Sequence, residues 1–245
     1  MLSIFKKEIH QFFSSITGYV AIILFLLANG LFLFVFKDTN LLDAGYANLD
    51  PLFELAPMIF LLLIPAITMR SLSEEFKSGT MELLSTKPLT GWQIVLGKYW
   101  ACALIVLISL VPTLIYYIAV SQLSAQPGML DTGGIMGSYI GLLLLGGTFT
   151  AIGIWSSSIT SNAVVAFLVA VFTCYIFYTG FEALSKLPVF AGGIDYYLQM
   201  AGISFHYNSI SRGVIDSRDI IYFFSVIGFM LYLTKVSLQR RIWQA

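Results

Sequence analysis

The sequence predicts an all-α integral membrane protein with six transmembrane helices, and two observations support this fold class. Hydrophobic residues make up 58% of the 245 residues and charged residues only 11%. A soluble domain carries about 25% charged residues, so this chain has too few to cover a surface that faces water. Six apolar segments also approach or reach the length of about 20 residues that a helix needs to cross a bilayer. Because backbone polar groups must pair internally in lipid, these segments are interpreted as helices.

The predicted spans cover about 17–36, 52–69, 99–121, 135–157, 163–181 and 219–237. The first apolar run follows two lysines, as a signal sequence would, but a signal core of about 7–15 residues is shorter than this run. Before it, apolar residues recur at spacings of three and four, which predicts an amphipathic helix over residues 1–16 in the headgroup plane. These apolar residues are Leu2, Phe5, Ile9, Phe12 and Ile16.

Glycine and proline residues predict where the spans pack closely and where they bend. Gly137 and Gly141 lie four residues apart in the fourth predicted span, a spacing that lets two helix backbones approach closely. We expect this contact to lie within one chain, and a contact between two copies is the alternative. Pro57 and Pro65 in the second span and Pro112 in the third are candidate kinks.

The distribution of basic residues predicts the orientation of the chain. Six spans place both termini on one side, and nine of the thirteen Lys and Arg residues fall on that side. The more positive side of a membrane protein faces the cytoplasm. We therefore expect both termini and the loop 71–98 in the cytoplasm. The segments 37–51, 122–134 and 182–218 are then external, and the last is apolar enough to fold back into the outer leaflet as short helices.

The sequence contains no pattern typical of catalysis or metal binding. His10 and His206 are the only histidines, and the predicted orientation puts them on opposite sides. Cys102 and Cys174 both lie in apolar runs, which favours membrane packing over a disulfide or a metal site. There is no phosphate-binding loop for ATP, and zero net charge gives a nucleic-acid partner no support. We expect a chain that is not an enzyme, binds no cofactor and receives energy from elsewhere.

The loop between the second and third predicted spans carries the most specific motif. Residues 75–84 read EFKSGTMELL, and Pro88 and Gly97-Lys98 follow. This segment resembles the Glu-x-x-x-Gly-Thr-x-Glu-x-Leu pattern of ABC-2 type transporter permeases, which lies between the same two spans. The order of elements is also similar across essentially the whole chain. The resemblance implies an ABC-2 (type V exporter-like) permease fold.

In such permeases the loop forms a coupling helix that sits in a groove of a cytoplasmic ATP-binding subunit. Thr80 can cap that helix, Glu82 falls in its first turn, where the helix dipole favours an acid, and Gly79 permits a sharp entry. Leu83 and Leu84 supply apolar contacts, and Pro88 ends the helix. Glu74, Glu75 and Lys77 are expected to be free for partner charges. The predicted coupling residues are Glu74, Glu75, Lys77, Gly79, Thr80, Glu82, Leu83, Leu84 and Pro88.

A second segment narrows the resemblance. Residues 206–219 read HYNSISRGVIDSRD and look like the external segment of the gliding-motility-associated permease subunit family, GldF. They are also similar to the corresponding segment of the permease for nitrous-oxide-reductase maturation. The candidate residues in this external segment are His206, Arg212, Gly213, Asp216, Arg218 and Asp219.

The resemblance implies a permease subunit of an ATP-driven exporter linked to gliding motility, in a bacterial inner membrane. ATP and Mg would bind a GldA-like cytoplasmic ATPase, and a second permease copy or a GldG-like subunit would complete the pathway, in contact with membrane lipids. Two alternatives have the same fold. One is a permease for copper-site maturation of nitrous-oxide reductase, and the other is a mechanotransmission complex that moves no solute. An intramembrane enzyme is a third alternative, which the missing catalytic groups disfavour.

Overall fold

The computed structural model describes residues 1–36, 41, 48–81, 89–123, 130–190 and 192–244, and within these ranges the chain is helical and contains no β-strand. Five helical segments are long and apolar enough to cross a membrane. They are Asp50–Lys77, Gly91–Gln122, Thr132–Ile159, Ala163–Ser185 and Ser217–Arg241. A sixth is counted when the first two helices, which meet at a bend of 69°, are taken as one broken span. The predicted fold class, an all-α membrane protein, is confirmed.

We number the α-helices in chain order. They are α1 (Leu2–Ser14), α2 (Ile16–Phe34), α3 (Asp50–Thr68), α4 (Ser73–Lys77), α5 (Gly91–Leu110), α6 (Leu114–Leu123), α7 (Thr132–Ile159), α8 (Ala163–Tyr175), α9 (Phe181–Ser185), α10 (Ile194–Ala201), α11 (Ile203–Ser211) and α12 (Ser217–Gln244). A 3₁₀ turn, Val111–Thr113, separates α5 from α6 at Pro112, whereas Pro57 and Pro65 lie inside α3. A π-helical turn, Ile176–Gly180, joins α8 to α9.

Side chains at three helix starts satisfy backbone N–H groups that have no partner within the helix. Thr90 forms a capping box with Gln93 at the start of α5. Asp131 accepts a hydrogen bond from the Gly134 N–H at the start of α7, and Asn162 caps α8 in the same way. These caps fix where three of the long helices begin.

Helix α7 lies at the centre of the fold and packs against α3, α8, α11 and α12. Its glycines permit close approach within the chain, as expected. A Cβ atom on Gly137 would lie 2.7 Å from the carbonyl oxygen of Ile210, and one on Gly141 would lie 3.3 Å from the Tyr207 ring. The Tyr207 hydroxyl also donates to the Phe53 carbonyl, 2.7 Å away. These contacts bring α11 and the start of α3 against the same part of α7.

The connection between the second and third spans is shorter than the sequence predicted. The second span continues from α3 through α4 to Lys77, and the third begins at Gly91 rather than near residue 99. Lys98, which the hydropathy pattern placed in water, is 1% exposed. Residues at both ends of 71–98 are therefore packed inside the protein, and the position of this segment in water stays a prediction.

Helix α1 docks on α5 through Ile4, which lies outside the predicted apolar stripe, while the stripe residues Ile9 and Phe12 are partly buried against the core. Ile4 is buried, and a Cβ atom on Gly97 of α5 would lie only 3.1 Å from it. Leu2 and Ile16, two members of the predicted stripe, are 72% and 80% exposed. The apolar residues of α1 therefore divide between a face that packs on the protein and a face left open.

The fifth span ends with α9, and the segment between it and the last span contains the short helices α10 and α11, with a 3₁₀ turn at Pro188–Phe190. Helix α11 is the most deeply packed of them, with Ile203, Tyr207 and Ile210 buried. Depth in a bilayer stays a prediction for this segment.

Candidate functional site

A buried ionic cluster lies at the base of the predicted coupling loop. The Lys98 Nζ atom of α5 lies 2.7 Å from Oε1 of Glu8 and 3.1 Å from Oε2 of Glu75. It also donates a hydrogen bond to the Ser71 carbonyl at 2.6 Å. Burying an ammonium is costly unless the charge is paired and hydrogen-bonded. Two carboxylates and a carbonyl meet that requirement, so Lys98 joins α1, α4 and α5.

Lys7 extends the cluster toward solvent. Its Nζ atom donates to Oε1 of Glu75 at 2.9 Å. Burial lowers the pKa of Lys7, but the hydrogen bond to Glu75 and the charges of Glu75 and Glu8 raise it, and the net result is a pKa above the ordinary value. The Lys7 ammonium therefore stays charged at neutral pH. Glu75 thus has one lysine partner on each carboxylate oxygen.

These contacts correct one prediction about the loop. Glu75 was expected to be free for a partner's charges, but it is 8% exposed and bound to Lys7 and Lys98 of its own chain. Glu74 and Lys77 are exposed, and neither forms an ion pair with another described residue. Sequence reasoning missed the cluster because its members lie in three separate segments, each of which looks like an ordinary flank of a span.

A second set of hydrogen bonds fixes the junction between α3 and α4 to the end of α7. The Ser157 hydroxyl accepts from the backbone N–H groups of Leu72 and Ser73, at 2.8 and 3.0 Å. It also donates to the Met69 carbonyl at 3.2 Å. Ser157 is fully buried, so these groups have no water to replace it. The base of the loop is therefore held by α1, α5 and α7.

Residues 78 and 79 form the turn that leaves α4, and the chain is helical again at Thr80 and Met81. Gly79 has a φ of +68°, a left-handed conformation that glycine adopts at little cost and that suits a sharp turn. Its role at the entry to a coupling helix stays a prediction. The Thr80 hydroxyl donates back to the Glu75 carbonyl, 3.4 Å away. Its predicted role as the cap of a following helix, and the roles of Glu82, Leu83, Leu84 and Pro88, stay predictions, because residues 82–88 lie outside the described part of the chain.

The end of α12 reaches the same region. The Arg241 guanidinium lies over the Phe76 ring of α4, 4.7 Å from its centre, and donates to the Ile159 carbonyl at the end of α7. The Ser237 hydroxyl donates to the Ser158 carbonyl at 3.1 Å. The last span therefore contacts both the loop base and the helix that anchors it.

The predicted external residues separate into a buried pair and an exposed group. The His206 Nδ1 atom lies 2.7 Å from Oδ1 of Asp219, and its Nε2 atom lies 2.8 Å from the Met200 carbonyl. The His206 ring stacks on Tyr222, with 3.9 Å between ring centres, and the Tyr222 hydroxyl donates to Ala201. This network joins α10, α11 and α12.

The exposed group consists of Arg212, Asp216 and Arg218. Asp216 accepts a hydrogen bond from the Arg218 N–H, as expected of a residue that precedes a helix. Gly213 has a φ of +85°, and a Cβ atom there would lie 3.0 Å from the Gly134 backbone. Glycine is required at this position for both its conformation and its size.

The fold and the site define a protein of the multi-pass membrane class, in which the connection between the second and third spans is mounted on packed helices. Comparison with protein-family models is consistent with that class. The family described as ABC-2 family transporter protein matches residues 2–187, and the chain belongs to it. Permeases of this family normally work with a cytoplasmic ABC ATPase. The match does not extend over residues 188–245, and no curated protein matches the chain.

Proposed function

We propose that this chain is the permease subunit of an ATP-driven transporter and that the connection between α4 and α5 receives the motion of a cytoplasmic ATPase. The observation that carries the proposal is the mounting of that connection. Glu75 and Lys98 hold its two ends together across a 3.1 Å ion pair, so the loop emerges from one rigid base. A site for receiving force needs a base of this kind.

The mounting also supports a path for the motion. A displacement of α4 acts on α1 and α5 through the cluster of Glu75 with Lys7 and Lys98. The same displacement acts on α7 through Ser157, which bonds the α3–α4 junction. Buried and hydrogen-bonded contacts transmit strain because protein interiors have low compressibility. The spans would therefore move with the loop as rigid bodies.

The finer assignment rests on resemblance. The external segment 206–219 supports an exporter linked to gliding motility, with cytoplasmic termini and an inner-membrane location. ATP and Mg would bind the partner ATPase, this chain would carry no catalytic group, and a second permease subunit would complete the pathway. Residues 37–51, which would connect the first two spans on the external side, are described only in part.

Co-purification tests the proposal. The chain is expressed with the ATP-binding subunit encoded nearest to its gene, extracted in detergent and captured through a tag. We expect the wild type to retain the ATPase and Glu82→Lys to lose it, because the substitution reverses a charge in the proposed contact. Asp216→Lys is the matched control. Asp216 precedes α12, and the other end of this 28-residue helix contacts α4. At 1.5 Å per residue, Asp216 therefore lies about 40 Å from the proposed ATPase contact, so its charge reversal should not affect ATPase binding.

Two results would refute parts of the proposal. If the wild type retains no ATPase in any nucleotide state, the chain is not a permease subunit of this kind. If Glu82→Lys retains the ATPase as well as Asp216→Lys does, the loop is not the contact. ATP turnover that ignores every solute and lipid tested would favour a mechanotransmission complex over a transporter.

A further inference from the structure

A long lateral groove lies between α2 and α3. Its cavity has a volume of about 1150 Å³ and is lined by apolar side chains over most of its length. The lining runs along α2 from Ile16 to Phe32 and along α3 from Leu55 to Ile67, and it continues past the end of α3 to Arg70. At 1.5 Å per residue the two helical stretches are about 24 and 18 Å long, more than half of the roughly 30 Å hydrocarbon thickness of a bilayer. The groove is therefore long enough to hold an extended acyl chain.

Polar groups collect at one end of this groove. Arg70 and Glu74 are exposed there, and neither forms an ion pair with another described residue. Ser71 lies between them and is 7% exposed, but its hydroxyl has no nitrogen or oxygen partner. Its hydrogen-bonding neighbour is the Cys102 thiol, and a thiol is only a weak hydrogen-bonding group. A buried hydroxyl without a full partner carries a cost that a ligand's acceptor would remove.

The charges at this end favour a ligand head that carries both signs. The guanidinium of Arg70 matches the oxygens of a phosphate. The carboxylate of Glu74, one helical turn further on, suits an ammonium. The other charges that line this end, on Lys7, Glu8 and Glu75, belong to the ionic cluster and are already paired. A head with phosphate alone would therefore leave the Glu74 carboxylate unmatched.

We propose that the α2–α3 groove binds a zwitterionic phospholipid of the phosphoethanolamine type from the adjoining leaflet. Its phosphate lies at Arg70 and Ser71, its ammonium at Glu74, and one acyl chain follows α2 and α3. Binding itself requires no ATPase. That the bound lipid also represents the cargo rests on the proposed function, and a test on the chain alone separates the two.

Photolabelling tests the site. The chain alone is placed in nanodiscs of phosphatidylcholine that contain a small fraction of phosphatidylethanolamine with a photoreactive acyl chain. After illumination, labelled peptides are quantified by mass spectrometry. We expect label on α2 and α3 residues of the groove. Unlabelled phosphatidylethanolamine should compete at least threefold better than phosphatidylglycerol, which lacks the ammonium.

Variants distinguish the groove from general lipid contact. Ala66→Trp fills the groove from α3 and should reduce its label about tenfold, and Ala28→Trp does the same from α2 if the first variant fails to fold. Ile115→Trp is the matched control on α6, where the side chain is 63% exposed outside the groove, and its label should not change. Arg70→Gln and Glu74→Gln should each reduce labelling about three- to tenfold, the range expected for loss of a partly exposed charged hydrogen bond.

Three results would overturn the proposal. The first is groove labelling that survives both tryptophan variants. The second is equal competition by phosphatidylglycerol, which would show no choice of head group. The third concerns a different occupant, a second copy of the chain. Leu62→Cys, which lines the groove, would then form a disulfide between copies under mild oxidation, and the groove would take no lipid label.

Discussion

Replacement of Lys98 by methionine is the perturbation that most directly tests the ionic cluster. Methionine keeps the unbranched apolar stem and removes the ammonium. Glu8 then loses its lysine partner and Glu75 keeps only Lys7, while the Glu8 and Glu75 side chains are 14% and 10% exposed. The Ser71 carbonyl also loses its donor, which lies 2.6 Å away in the wild type.

The expected loss of stability is large. Removal of one partner from a buried ion pair costs about 3–5 kcal/mol, because the remaining charge is uncompensated. For a domain of 150–250 residues, each kcal/mol shifts the unfolding temperature by about 2–4 °C. We therefore expect Lys98→Met to lower the apparent Tm by about 6–20 °C. The triple variant with Glu8→Gln and Glu75→Gln should regain most of this loss, since a neutral replacement of the three buried charges is often tolerated and Lys7 is half exposed to water.

The chain offers its own reporters for the assay. Cys102 and Cys174 are free and buried, so a dye that fluoresces on reaction with thiols reports unfolding in detergent as the temperature rises. Lys6→Met is the matched control, because Lys6 is exposed on the same helix as Glu8. A surface substitution of this kind is expected to change stability by no more than about 0.5 kcal/mol.

A shift of less than 2 °C for Lys98→Met, equal to that of the control, would refute the reasoning. It would mean that the two carboxylates do not depend on Lys98 and that α1, α4 and α5 are held together by other contacts. Failure of the triple variant to recover would separately contradict the electrostatic origin of the loss.

Three further predictions use the same assay. Gly153→Ala should destabilise by about 1–3 kcal/mol, because its Cβ would overlap the Thr68 hydroxyl of α3. Gly228→Ala is the control, because its Cβ would meet nothing within 4 Å and should be tolerated. Ser157→Ala should cost about 2–4 kcal/mol by removing the acceptor of two buried N–H groups, and Ser157→Thr, if it packs, should cost less. The pKa of Lys7 is raised by folding, so its contribution is present below its unfolded value, about 10.4, and is lost as pH rises through the folded value. The Tm of the wild type should therefore exceed that of Lys7→Met up to strongly alkaline pH, where the difference disappears. Disappearance of this Tm difference already at pH 8 would contradict the prediction.

The sequence predicted those helices and contacts that depend on neighbouring residues in the chain. Apolar length identifies a membrane helix because the backbone has no alternative partner in lipid. The spacing of Gly137 and Gly141 predicted a close approach, and the structure places them against α11. The left-handed turn at Gly79 follows from residue type alone, since glycine adopts this conformation at little cost.

The sequence could not predict the contacts that depend on tertiary pairing. Hydropathy placed Lys98 in water because a lone lysine next to an apolar run normally marks the end of a span. Its partners Glu8 and Glu75 lie 90 and 23 residues away, and no local pattern relates the three. The His206–Asp219 pair was missed for the same reason, although both residues had been selected as members of the external segment.

Cross-linking from the turn after α4 tests most directly whether the loop contacts the ATPase. Ser78 is exposed in that turn and is replaced by cysteine, which carries a photoreactive group attached to its thiol in the assembled, ATP-hydrolysing complex. The native Cys102 and Cys174 are buried and do not take up the reagent. The account predicts a cross-link to the ATPase from Ser78→Cys and none from Ser217→Cys, which is also exposed but lies at the end of α12 remote from α4. A cross-link from Ser217→Cys alone, or from neither position, would contradict the placement of the ATPase at this loop.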